Sequence, residues 1–168
     1  MNRNIAYLGL GSNLGDRAAN LLRAIRELRD AGLWIDSLSS IYETEPVENR
    51  DQPYFLNMAV AVSAPDIDPF SLLKKCLEIE TRLGRARLIP KGARTIDIDL
   101  LIIGDLILDE VRDGVALTVP HPRLSLRRFA LTPLAEIAPE LRHPVLGITM
   151  EQLLVKVNDR ASVRIYAG

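Results

Sequence analysis

Thr95-Ile96-Asp97-Ile98-Asp99-Leu100-Leu101-Ile102-Ile103 alternates apolar and acidic side chains and then turns wholly apolar. Alternation with a period of two is the signature of a strand. This strand decides the fold because of what it follows. Ile5 to Leu10 is a short apolar run with a glycine-rich exit, which predicts a buried strand. Leu14, Leu21, Leu22, Ile25, Leu28 and Leu33 then recur at helical spacing, with Asp16 in the first turn and Gly32 at the end. Trp34 to Tyr42 and Asn57 to Ser63 read as two partnered strands. Asp68 and Pro69 open a second helix as N-cap and first helical residue, and Phe70 to Leu83 carry it to Gly84.

With Thr95 to Ile103 added, the first hundred residues order as strand, helix, strand, strand, helix, strand. That order predicts an α+β, ferredoxin-like βαββαβ core, an antiparallel sheet with helices on one face. Further on, Leu106 to Leu108 and Val115 to Val119 read as peripheral strands, forming a C-terminal hairpin. Leu126 to Ala138 and Thr149 to Val157 read as helices, the first interrupted by Pro133. The fold alone hosts many functions and selects none.

At 168 residues the chain is expected to form one domain over 1–168. A net charge of -1 argues against general attraction to nucleic acid or to anionic lipid. Cys76 is a lone cysteine on an apolar helical face and reads as a small core residue. Met1-Asn2-Arg3-Asn4 passes straight into a strand without the apolar core of a secretion signal. No apolar run reaches the roughly 18 residues of a membrane span. A cytoplasmic location and no membrane partner are expected. No apolar stripe calls for a second copy, so a monomer is expected.

The chemistry concentrates where the deciding strand begins. Asp97 and Asp99 share one face, about 7 Å apart, while Ile96, Ile98 and Leu100 take the other. Like charges side by side in a strand repel, and a hard cation between them removes the penalty. Mg²⁺ suits such a pair, because it takes one or two carboxylates and completes its octahedron with water and phosphate oxygens. Arg85, Arg87, Lys91 and Arg94 immediately precede the strand, and arginine forks match phosphate. Together they suit a polyphosphate. A solvated strand face and a surface salt-bridge network remain as the plain alternatives.

Three further segments add detail. Val119-Pro120-His121-Pro122-Arg123 fixes His121 between prolines with basic residues following, although a lone histidine is more often structural. His143 has only the structural reading. Gly9-Leu10-Gly11-Ser12-Asn13-Leu14-Gly15 lacks the third glycine of a dinucleotide fingerprint and reads as a tight strand-to-helix turn. Tyr42 to Val47 and Asp51 to Asn57 place aromatic rings beside an asparagine amide, which could receive the edge of a heterocycle.

Taken in order, these segments resemble the 6-hydroxymethyl-7,8-dihydropterin pyrophosphokinases of the folate pathway. Leu8 to Gly15, Ser39 to Val47, Asp51 to Asn57, Leu83 to Arg87, Gly92 to Leu100 and Val119 to Phe129 carry the likeness, from Ala6 to about Pro139. The resemblance implies transfer of the β,γ-pyrophosphoryl group of ATP to a pterin hydroxymethyl, releasing AMP. It implies two Mg²⁺ ions held by Asp97 and Asp99, with Arg85 and Arg94 completing the catalytic set. Thr44, Val47, Phe55, Asn57 and Phe129 would bind the pterin. Glu80, Arg85, Arg87, Arg94, Thr118, His121 and Arg127 would meet ATP. The chain departs from well-known members in a loop one residue shorter between Arg87 and Arg94, and in Lys91, Glu45 and Ala116. A noncatalytic ferredoxin-like RNA-binding module and a different two-metal phosphoryl or nucleotidyl transferase are the competing readings.

Overall fold

The computed structural model describes residues 5–47, 51–84 and 93–168. Strand β1 (Ile5–Ser12) leads to helix α1 (Arg17–Asp30), strands β2 (Trp34–Leu38), β3 (Tyr42–Thr44) and β4 (Phe55–Ser63), helix α2 (Pro69–Arg82) and strand β5 (Asp97–Ile103). A hairpin of β6 (Leu108–Arg112) and β7 (Val115–Val119) follows, then helices α3 (Arg128–Ile137) and α4 (Met150–Lys156) and strand β8 (Val163–Ile165). The main sheet is ordered β5-β1-β4-β3-β8, with β2 also on β4, and every pairing is antiparallel. The ferredoxin-like expectation is met.

Local chemistry explains the helix starts. The Asp16 carboxylate accepts from the Ala19 amide and that of Asp68 from Ser71, each satisfying a donor that the first turn leaves open. Thr149 and Gln152 form a reciprocal capping box on α4. Leu14 lies outside α1, so the helix starts later than its apolar spacing suggests.

Each face of the sheet has its own core. Ala6, Leu8, Leu10, Val60, Val62, Ile98 and Leu100 pack against Leu21, Ala24 and Leu28 of α1 and Leu72, Cys76 and Ile79 of α2. Tyr7, Ala59, Leu101 and Ile102 face the other way, onto Ala130, Leu131 and Leu134 of α3 and Met150 and Leu153 of α4. The C-terminal helices therefore cover part of the second face, which the sequence left unassigned.

Several boundaries differ from expectation. The segment 34–42 is two strands, because Ser39 breaks the run: its Oγ accepts from the Ala59 amide at 2.9 Å while its own amide donates to Ala59 O. β1 runs on through Gly9 and Gly11 to Ser12, so these glycines lie in the strand and the turn comes afterwards, at Gly15 with φ +67°. The hairpin turns at Asp113 and Gly114, both with positive φ, the geometry of a two-residue turn that suits an Asp-Gly pair. Leu106 falls before it. Pro133 sits inside α3, which remains one helix and begins at Arg128 after a 3-10 turn over Leu124–Leu126. β8 had no visible signal.

Candidate active site

α3 and α4 leave one part of their face of the sheet open. Over it lies a cavity of about 500 Å³. Its floor is built by strand alternation: Gly9 and Gly11 of β1, Asn57 of β4, and Asp97, Asp99 and Leu101 of β5 all point to this side. Register places Asp97 across from Gly11 and Asp99 across from Gly9. Because Gly11 and Gly9 carry no side chains, β1 leaves room beside the two carboxylates on the cavity side.

One end of the cavity is lined by Thr44, Glu45, Pro46, Val47, Gln52 and Phe55. There the Asn57 amide Nδ2 donates to Thr44 Oγ1 at 2.6 Å, with both residues buried. This bond fixes the amide's orientation and lays its oxygen over the Cα of Gly11. The opposite wall comes from the segment after β7 and the start of α3: His121, Arg123, Leu126, Arg127 and Phe129.

The charged groups are arranged around the aspartates. Arg94 Nη1 meets Asp97 Oδ2 at 2.7 Å, and its guanidinium lies 5.5 Å from the centre of the Phe55 ring. Arg127 lies 5.5 Å from the Phe129 ring. His121 Nδ1 accepts from the Arg123 amide at 3.1 Å, which leaves the proton of the neutral ring on Nε2. Burial, reinforced by Arg127 and Arg123 and opposed by Asp97, pushes the imidazole down to about 4. At neutral pH it is an uncharged donor among cations.

The cavity thus gathers Thr44, Val47, Phe55, Asn57, Phe129, Arg94, Asp97, Asp99, His121 and Arg127 of the expected residues. It does not gather two others. Glu80 is buried at the edge of β5, where its carboxylate accepts from the Ile98 amide at 2.7 Å. Thr118 donates to Asp109 across the hairpin at 2.9 Å. Arg85, Arg87 and Lys91 lie outside the described residues. Cys76 is a core residue whose thiol burial pushes up to about 12, and His143 is a buried acceptor of backbone amides.

Gln52, Arg123 and the floor glycines were not singled out as site residues by sequence. Glycines spaced by two, facing aspartates spaced by two, were the available signal, but it needs the β1–β5 register to be seen. Among the described residues no group of three or more His, Cys, Asp and Glu could hold a metal. On the β5 side of the cavity the acidic donors among the described lining residues are this pair, which fits an ion that draws its remaining ligands from water and substrate phosphate. The Arg94 contact shows that Asp97 already draws a cation to this spot.

The family model for 7,8-dihydro-6-hydroxymethylpterin-pyrophosphokinase (HPPK) matches residues 7–139, the stretch that builds the floor and both walls of this cavity. The chain belongs to the HPPK family. It is 42% identical to the 2-amino-4-hydroxy-6-hydroxymethyldihydropteridine pyrophosphokinase of Bacillus subtilis, over 92% of this chain and 90% of that one. Against the pyrophosphokinase of the same name from Methylorubrum extorquens it is 42% identical, covering 95% and 98%. The folic acid synthesis protein fol1 of Schizosaccharomyces pombe is 35% identical over 98% of this chain, which spans only 22% of fol1. In solved structures the HPPK fold recurs in wild-type Plasmodium falciparum HPPK-DHPS with pteroate, at a TM-score of 0.73 and 19% identity, over 92% of this chain and 44% of that one.

Proposed function

We propose that this HPPK-family chain transfers pyrophosphate from ATP to 6-hydroxymethyl-7,8-dihydropterin in folate synthesis, giving the pterin diphosphate and AMP. One observation carries the reading. A single cavity lined by two aromatic rings joins an oriented amide to a carboxylate pair that meets an arginine. The first end suits a flat heterocycle with donor and acceptor edges, and the second suits a triphosphate.

Asn57, held by Thr44, reads the pterin edge, while Phe55 and Phe129 flank its plane and Val47 lines the mouth. The hydroxymethyl oxygen attacks the β-phosphorus, the bond from that phosphorus to the α,β-bridging oxygen breaks, and AMP leaves with that oxygen. Asp97 and Asp99 would hold Mg²⁺, two ions in the full site, which neutralises the triphosphate and aligns attacking and leaving oxygens. Arg94 and Arg127, with His121 as a neutral Nε2–H donor, contact phosphate oxygens. Arg85 and Arg87 supply further cations, completing with Arg94, Asp97 and Asp99 the catalytic set. Glu80 and Thr118 complete the ATP contacts only if nucleotide reaches beyond the cavity.

A monomer is the working unit proposed here. Among the described residues no helix is long and apolar enough to cross a membrane. With a small phosphorylated co-substrate and a reduced pterin, a cytoplasmic place of action fits.

The test is product identity. Protein, MgATP and hydroxymethyl-dihydropterin should yield AMP and the pterin diphosphate, with turnover lost when chelator removes Mg²⁺. Asp97→Ala and Asp99→Ala should each remove turnover from a folded protein. ADP as the nucleotide product, or near-parental rates in either variant, refutes the assignment.

A further inference from the structure

Ser12-Asn13-Leu14-Gly15 leaves β1 at the end of the site floor and has no role in the reaction just given. Asn13 is only 1% exposed and does not line the cavity. Its amide is nevertheless used at both ends. Nδ2 donates to Gln52 Oε1 at 3.1 Å and to the Pro53 carbonyl at 3.2 Å. Oδ1 accepts from the Arg94 amide at 2.8 Å, and the Asn13 backbone amide donates back to Arg94 O at 3.1 Å.

These partners lead to the two sides of the cavity, which also meet where the Arg94 guanidinium lies 5.5 Å from the Phe55 ring. Gln52 and Pro53 run directly into Phe55 and Asn57, at the heterocycle end. Arg94 opens the segment that becomes β5 and holds Asp97, at the phosphate end. Asn13 is itself held from behind. Asn20 of α1, nearly buried, donates to the Leu14 carbonyl at 2.9 Å and to Ser12 Oγ at 3.3 Å.

We propose that Asn13 is a positioning residue that sets the distance between the pterin-binding wall and the phosphate-binding wall. This rests on the function proposed above for which wall takes which substrate. In-line transfer needs the attacking oxygen within about 3–3.5 Å of phosphorus, and an error of about 1 Å costs on the order of a hundredfold in rate. Each wall retains its own ligand contacts without Asn13, namely Asn57–Thr44 on one side and Arg94–Asp97 on the other. What Asn13 adds, beside the Arg94–Phe55 contact, is a hydrogen-bonded link that fixes their relation to each other. A buried amide bridging both segments does this rigidly, since losing it takes a partner from the Arg94 amide on one side and from the Gln52 and Pro53 oxygens on the other.

The signature is therefore a split between binding and turnover. Asn13→Ala should melt cooperatively and bind a nonhydrolysable ATP analogue and the pterin, each measured alone, with Kd within about threefold of the parent. Its kcat should fall by about a hundredfold. Asn13→Ser, which keeps a small polar atom near the Arg94 amide, provides the second reading should the alanine variant fail to fold, and its kcat should fall by at least about tenfold. Unchanged kcat in a folded variant overturns the proposal. So does a loss of both binary affinities as large as the loss of kcat, which marks general structural damage. The parent's own AMP formation tests the function reading, and the variant-to-parent ratio tests Asn13, so the two fail separately.

Discussion

A methyl group at Gly11 would test how the site floor was made. The Cβ of alanine at this position would lie 2.7 Å from Asn57 Oδ1 and 3.8 Å from Phe55 Cδ1. Gly11 is not among the residues with positive φ, so the backbone accepts alanine and the cost is steric. An ordinary carbon–oxygen contact is about 0.7 Å longer, and Asn57 cannot yield along the strand, because β4 is paired on both sides. The amide must turn or withdraw and give up its 2.6 Å bond to buried Thr44. A buried polar group stripped of its partner costs about 1–3 kcal/mol. Taking about 2 kcal/mol, Gly11→Ala should weaken pterin binding by roughly 30-fold and lower Tm by roughly 4–8 °C for a chain of this length. Titration of pterin fluorescence and a thermal melt measure both. Gly9→Ala is the control: its Cβ would meet the flexible end of Leu101 at 3.3 Å, a contact that a small rotation relieves, so pterin affinity should change less than about threefold. Near-parental pterin affinity in Gly11→Ala would refute the role given to the Asn57 amide.

Two more outcomes follow from single contacts. The folded state holds His121 neutral down to about 4, whereas an unfolded histidine takes up its proton near 6.5. The unfolded chain then binds more protons between those values, so stability is fully present above about pH 6.5 and declines as pH falls toward 4. His121→Gln should flatten this decline in a series of melts from pH 8 to 4, and parallel curves for parent and variant would contradict it. Glu80→Ala leaves the Ile98 amide without the carboxylate it meets at 2.7 Å and should cost about 1–3 kcal/mol in urea unfolding, while Glu80→Gln, which keeps an acceptor, should lose less than about half of that. Equal losses in both would show that the charge, not the acceptor, matters.

The fold was legible because the helix starts and strand periods agree with one another. Asp68-Pro69 marks α2 to the residue, and the β1 and β5 runs carry their own strand patterns. The apolar run Leu100-Leu101-Ile102-Ile103 hid a feature that alternation could not show. β5 carries an irregularity opposite Tyr7 and Leu8, so Leu101 and Ile102, though adjacent, both reach the core under α3, while Ile103 returns to the other. The aspartate pair was visible because it violates strand preference, and the asparagine because aromatic residues neighbour it in sequence. The floor glycines were misassigned to a turn because a glycine that makes room for a neighbour looks the same in sequence as one that bends the chain. β8 was invisible because its pairing with β3 joins residues more than a hundred positions apart, with a pattern too short to show alternation.

The position of β5 has a consequence for how this site can vary. Among the described residues β5 pairs with β1 alone, and contacts beyond that pairing, the Ile98 amide on Glu80 and the His121 amide on the Leu101 carbonyl at 2.8 Å, help hold it in phase. Parity is what those contacts protect. One residue inserted between Leu100 and the irregularity at Leu101 would turn both carboxylates into the α1–α2 core and lift Ile98 and Leu100 into the cavity. Two would return every side chain to its own face. The polar stretch before the strand can lengthen or shorten by any count that still delivers Arg94 to Asp97, whereas the strand tolerates change only in even steps.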